Sequence, residues 1–234
     1  MADIAPIDLA ALAWLILVWN GYMIFADRFK VGGYSLMTVM KKHRAGWMRQ
    51  MLNRENRVVD TTIMSALMRS VGLFSSITLL ILAGLLAILG SIDKIQALAE
   101  GVPYVTEMSK ASWELKIAML IMIFIYAFFK CAWSLRQFNY SIILIGAAPP
   151  VAEAQTEAAQ KFADGAGEVI ALAVSNFNRA MRAYYFGLAG LAWFLHPVLF
   201  ILSTLWVIAV VYRREFRSQT LANLHSIPGM DKTP

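Results

Sequence analysis

With 234 residues, 59% of them hydrophobic and only 15% charged, the chain departs from an ordinary soluble domain, which carries roughly 45–50% apolar and about 25% charged residues. The net charge is +6, but most of the excess sits beside one apolar block, which points to anionic phospholipid as partner and away from nucleic acid. A single cysteine, Cys131, excludes an intrachain disulfide.

The apolar residues gather into blocks of membrane-spanning length, and barrel-like alternation is absent. The first block, about 7–26, has no basic residue before it and reads as an uncleaved helix. It carries Asp8 near its start, Trp14 and Trp19 along it, and Asp27, Arg28 and Lys30 after it. Past Gly32 and Gly33, residues 35–60 place Met37, Met40, Trp47, Met48 and Val58 at helical spacing among Lys41, Lys42, Arg44, Arg49, Arg54 and Arg57. That pattern predicts a basic amphipathic helix on the membrane surface, or one packed on cytoplasmic neighbours.

A second span is predicted at about 66–89 and a third at about 113–133, the latter able to continue to Ile145 because no breaker precedes Gly146, Pro149 and Pro150. Residues 151–180 place Glu153, Glu157, Lys161, Asp164 and Glu168 three or four apart, a polar stripe on a cytoplasmic helix whose other positions are small. The last span, about 184–212, contains His196 and Pro197 near its middle, where a kink is expected. The fold class is therefore all-α: a polytopic membrane protein in one domain, 1–234, with about four transmembrane helices plus amphipathic cytoplasmic helices.

Basic residues near span ends set orientation. With the N-terminus outside, Arg28, Lys30, Lys161 and the basic run from Lys41 to Arg57 fall inside together with Arg136, Arg179 and Arg182, whereas Lys94, Lys110, Arg213, Arg214, Arg217 and Lys232 fall outside. The bias favours a cytoplasmic first loop. An even number of crossings leaves Arg213 and Arg214 outside; an additional crossing hidden near Gly165 to Phe177 would bring them in.

His43, His196 and His225 are too scattered for a metal site, and no cofactor is implied. Glu114, Lys116 and Lys130 fall near span ends, where long side chains reach the interface cheaply, leaving Asn20 and His196 as the polar residues within spans. Arg136, Gln137, Asn139 and Tyr140 on one segment, with Asn178, Arg179 and Arg182 on another, form either a lipid-headgroup site, since Arg forks suit phosphate, or a polar network joining two helix ends. Gly187 and Gly190 allow close helix packing within the chain or between subunits.

The run Arg136-Gln-Phe-Asn-Tyr-Ser-Ile-Ile-Leu-Ile-Gly-Ala, the segment Asn178-Arg-Ala-Met-Arg-Ala-Tyr-Tyr-Phe-Gly-Leu-Ala with Trp193-Phe, and Tyr212-Arg-Arg-Glu-Phe-Arg-Ser together resemble a bacterial inner-membrane family, domain-of-unknown-function (DUF) family 599. The resemblance implies a single membrane domain in the bacterial inner membrane and brings no activity with it. The expected function is a non-enzymatic inner-membrane scaffold or accessory subunit that forms a homo-oligomer or joins a membrane-protein complex and binds anionic lipid. The alternative is an oligomeric channel or transporter lined by Asn20, His196, Arg136 and Arg179. A lipid-modifying enzyme would need a nucleophile with its base, or a metal cluster, and the sequence displays neither.

Overall fold

Apolar runs and capping residues divide the chain into eight α-helices in the computed structural model, which describes residues 4–28, 35–99 and 108–225; no strand occurs among the described residues. The Gly32 and Gly33 pair, Lys30 and Lys232 lie outside them. The helices are α1 (Pro6–Arg28), α2 (Leu36–Leu52), α3 (Val58–Gly90), α4 (Ile92–Ala99), α5 (Lys110–Gly146), α6 (Glu157–Gly190), α7 (Pro197–Phe216) and α8 (Gln219–His225). Four apolar stretches are long enough to cross a membrane: Pro6–Ala26, Val58–Gly90, Lys110–Gly146 and Pro197–Leu224.

Four elements differ in their bounds from the sequence expectation. The predicted surface helix 35–60 ends at Leu52, where Asn53 turns its N–H back to the Gln50 and Met51 carbonyls. Arg54 and Arg57 therefore sit in a connector, and Val58 starts α3. The span predicted to begin at 66 is longer because the hydroxyls of Thr61, Thr62 and Ser65 bond carbonyls three or four residues back, which lets polar residues sit in the helix. The largest correction concerns the span predicted at 184–212. Tyr184 to Gly190 are the end of α6, a 3₁₀ turn follows at Leu191–Phe194, and Pro197 begins a new helix. Proline is at home there, because the first helical N–H has no intrahelical partner to lose; it ends no helix and kinks none. The cytoplasmic helix predicted at 151–180 correspondingly begins later, at Glu157, and runs on to Gly190.

The chain divides into two compact units. The first contains 1–29, 75–129 and 179–211. In it α1 and α7 run the same way, tied by a Trp14 indole N–H to Thr204 bond of 2.9 Å. α5 and the end of α6 run antiparallel: a Cβ on Gly190 would lie 2.8 Å from Leu120, and one on Gly187 2.8 Å from Phe124. The two glycines thus serve contact inside one chain. Ala180, Ala183, Phe186 and Ala189 are buried while Leu188 is exposed, so protein covers most of this part of α6. The direction of each helix follows: α1, α5 and α7 start at the end of this unit where α6 finishes.

The second unit contains 30–74, 130–178 and 212–234. Here α2 lies against α6 closely enough that a Cβ on Gly167 would stand 3.1 Å from the Ala45 Cα. Lys41 pairs with Glu168 at 2.8 Å, and Arg49 holds Asp164 through Nε (2.7 Å) and Nη2 (2.9 Å). The polar stripe of α6 is thus partly taken up by α2. Met48, Met51 and Leu52 are the buried residues of α2. Ser35 caps α2 by accepting the Thr38 N–H at 3.2 Å.

Candidate functional site

Two aspartates in helix first turns, Asp8 of α1 and Asp60 of α3, are nearly or wholly buried. A carboxylate in a first turn is favoured by the positive end of the helix dipole, but burial demands further partners. Each receives one tryptophan N–H and one cation. Asp8 Oδ1 accepts from the Trp193 indole at 2.8 Å and meets Lys116 Nζ at 3.1 Å. Asp60 Oδ1 accepts from the Trp47 indole at 2.6 Å and pairs with Arg54.

The Asp8 site is the more enclosed. Lys116 is 1% exposed, and its ammonium also donates to the Trp193 carbonyl (3.2 Å) and to Met108 Sδ (2.7 Å) while standing 5.5 Å from the Trp193 ring centre. Its three hydrogens thus have three acceptors. Trp193 is itself held flat on Phe200, with ring centres 5.0 Å apart. Asp8, Lys116 and Trp193 line a cavity of about 140 Å³, with Ser109, Ser112, His196 and Pro197 among its walls. One charge pair thereby ties the starts of α1 and α5 to the α6–α7 turn. Lys116, expected to reach the interface from a span end, is instead a buried partner in this network.

His196 is not inside a span. It is exposed, and its Nδ1 accepts the Val198 N–H at 3.1 Å, capping α7. Asn20 is exposed and bonds the Ile16 carbonyl at 2.8 Å within its own helix.

The predicted headgroup cluster is divided. Gln137 is buried and accepts from Asn176 at 2.8 Å, while Ser134 donates to the Ala173 carbonyl at 2.7 Å, so α5 and α6 are joined by a polar network. Arg136, Asn139 and Tyr140 lie on the exposed face of α5. Asn178 donates to Met37 Sδ at 2.6 Å. Arg179 is partly buried, and Arg182 is buried with its guanidinium 5.8 Å from the Tyr22 ring centre.

The basic set from Lys41 to Arg57 is largely engaged by protein. Besides the pairs of Lys41, Arg49 and Arg54, Arg57 donates to the carbonyls of Ala148 (2.8 Å) and Pro149. Arg44 is half-buried, and burial pushes its guanidinium below its ordinary pKa. Lys42 is exposed. Among the described residues, no three His, Cys, Asp or Glu side chains gather as metal ligands would.

A family model described as "Protein of unknown function, DUF599" matches residues 10–220. The chain belongs to this family. No curated protein and no solved structure matches it. The segment shared with the DUF599 model includes Lys116, Trp193 and the whole Asp60 site, whereas Asp8 lies two residues before it.

Proposed function

We propose that this DUF599 protein is a non-enzymatic accessory or scaffold protein of the bacterial inner membrane that associates with itself or with a larger membrane complex and binds anionic lipid. The observation that carries the reading is the one-sided packing of α3. Met64, Val71, Thr78 and Leu85, one residue in seven, are buried, while Leu73, Leu79, Leu80 and Leu86 are exposed. A helix held by so narrow a seam offers most of its surface to lipid tails or to other spans.

A channel or transporter is the second reading, favoured by the cavity beside Asp8 and Lys116. Against it, Ile117, Leu120, Ile123 and Phe124 of α5 are buried immediately beyond Lys116 and leave no continuous polar lining on that helix.

The proposed orientation keeps the N-terminus outside. Because α7 runs parallel to α1, Arg213 and Arg214 follow a helix that leaves the first unit in the same direction as α1, toward the basic first loop. The buried end of α6 supplies the additional crossing, and Lys94 and Lys110 remain as the outer cations, a strong positive-inside pattern. With Cys131 replaced by alanine, an impermeant thiol reagent applied to whole cells labels Lys94→Cys and spares Gln219→Cys; the reverse pattern overturns this orientation.

The mass and composition of the complex extracted gently from native membrane test the function. Copies of this chain, or a fixed set of unrelated membrane subunits, support the scaffold reading. A lone monomer that moves solute across reconstituted vesicles overturns it.

A further inference from the structure

Lys41, Arg49, Arg54 and Arg57 are held by Glu168, Asp164, Asp60 and two backbone carbonyls, which leaves fewer cations of the first loop for lipid than the sequence suggests. Arg213, Arg214 and Arg217 line one cavity of about 280 Å³ in the second unit, with Ser218 and Gln219 completing its wall. The volume falls just short of the roughly 300–1,000 Å³ of pockets that enclose whole small molecules, which suits a headgroup.

We infer that this arginine-lined cavity binds the phosphate of an anionic phospholipid headgroup. Guanidinium forks present paired N–H donors that match phosphate oxygens, which a single ammonium does not. The hydroxyl of Ser218 and the amide of Gln219 add neutral hydrogen-bonding groups to the same wall. The cavity begins two residues after Val211, at the end of an apolar helix whose Trp206 is 72% exposed, which is where a headgroup would meet the chain. The rings of Tyr212 and Phe216 lie 5.1 Å apart next to it, and aromatic side chains with arginines mark the headgroup level of a bilayer. Elements of the fold carry the wall: Ser218 Oγ accepts the Leu221 N–H at 3.2 Å and Leu221 is buried. The inference rests on the reading that the protein binds anionic lipid, and names its site.

The full chain, purified in neutral detergent, is titrated with phosphatidylglycerol and with phosphatidylcholine, and bound lipid is counted by native mass spectrometry. The wild type is expected to prefer phosphatidylglycerol. Arg213→Gln/Arg214→Gln/Arg217→Gln is expected to lose about a hundredfold in that affinity, as removal of three membrane-facing cations implies, while Lys41→Gln/Arg49→Gln keeps it. A glutamine triple variant with undiminished preference overturns the assignment and leaves lipid binding by the protein standing. A wild type with no preference overturns both. Displacement of phosphatidylglycerol by inorganic phosphate at equal concentration assigns the cavity to free phosphate and overturns the lipid source. Should the glutamine variant melt earlier than the wild type, the triple lysine variant decides: weaker phosphatidylglycerol binding at unchanged melting supports the forks, and unchanged binding overturns them.

Discussion

The Asp8 and Asp60 sites are built to one plan and differ in the burial of the cation. Each has a first-turn carboxylate, a tryptophan N–H on Oδ1 and a basic side chain, yet the Lys116 side chain is 1% exposed and that of Arg54 is 40% exposed. Solvent reaches the Arg54 side chain, whereas that of Lys116 is buried. Removing one partner of a buried pair strands the other charge at a cost of about 3–5 kcal/mol. Lys116→Met is therefore expected to lower stability by that amount, read as the melting midpoint in a fixed detergent. Arg54→Met costs about 1–2 kcal/mol, because Asp60 keeps its Trp47 bond and its helix terminus. Adding Asp8→Asn to Lys116→Met should restore most of the loss, since a neutral pair needs far less solvation. Equal losses for the two cation variants, or no recovery in the double variant, would break the comparison.

A hydrogen bond to a charged group contributes about 1.5–3 kcal/mol, which sets the next effect. Trp193→Phe keeps the ring on Phe200 and removes only the donor to Asp8; Trp47→Phe does the same at Asp60. The two variants should lose comparable stability within that range, because both carboxylates are buried. Trp113→Phe provides the reference: Trp113 meets Phe194 with ring centres 5.2 Å apart and donates to neither aspartate in the observed bonding. A Trp193 variant as stable as that reference would remove the indole N–H from the account of the site.

Hydropathy revealed the four long apolar helices and misplaced the end of α6, most of which protein covers. α3, with its narrow buried seam, was legible from about Ala66 onward, and α5 was legible with its extension to Gly146. The end of α6 escaped because its neighbours shield it: Ala180, Ala183, Gly187 and Gly190 are small so that α5 can approach, and Arg182 is accommodated by Tyr22. Small and polar residues score poorly as a span, and the apolar residues after Gly190 were then joined to Tyr184 and Tyr185 as one helix. The basic arginines past Val211, unexpected outside the membrane, are the sequence feature that the proposed orientation accounts for by adding a crossing. The Asp8–Lys116 pair was illegible for a different reason. Its partners lie more than a hundred positions apart, so no local spacing links them, although both were assigned to helix starts on the outer side. Opposite charges on one predicted membrane face are the signal that could have joined them.

The surface pairs of α2 test the lower end of the same scale. Lys41 and Glu168 are each about half exposed, as are Arg49 and Asp164, and pairs in water contribute about 0–1 kcal/mol because solvation and side-chain entropy offset attraction. The bond that Arg49 donates to Asp164 raises the Arg49 pKa, but arginine is charged throughout the accessible range in any case, so pH offers no lever on this contact. Salt does. Lys41→Gln and Arg49→Gln should each cost less than about 1 kcal/mol at low ionic strength, and most of that difference should vanish at 1 M salt, where the screening length is about 3 Å. Lys116→Met should keep most of its deficit under the same salt, because salt screens a pair this deeply buried far less than an exposed one. A salt-insensitive loss at Arg49 would mean that its forked grip on Asp164 is sheltered as the Asp8 site is, and the contrast between exposed and buried pairs would then have to be drawn by geometry instead of exposure.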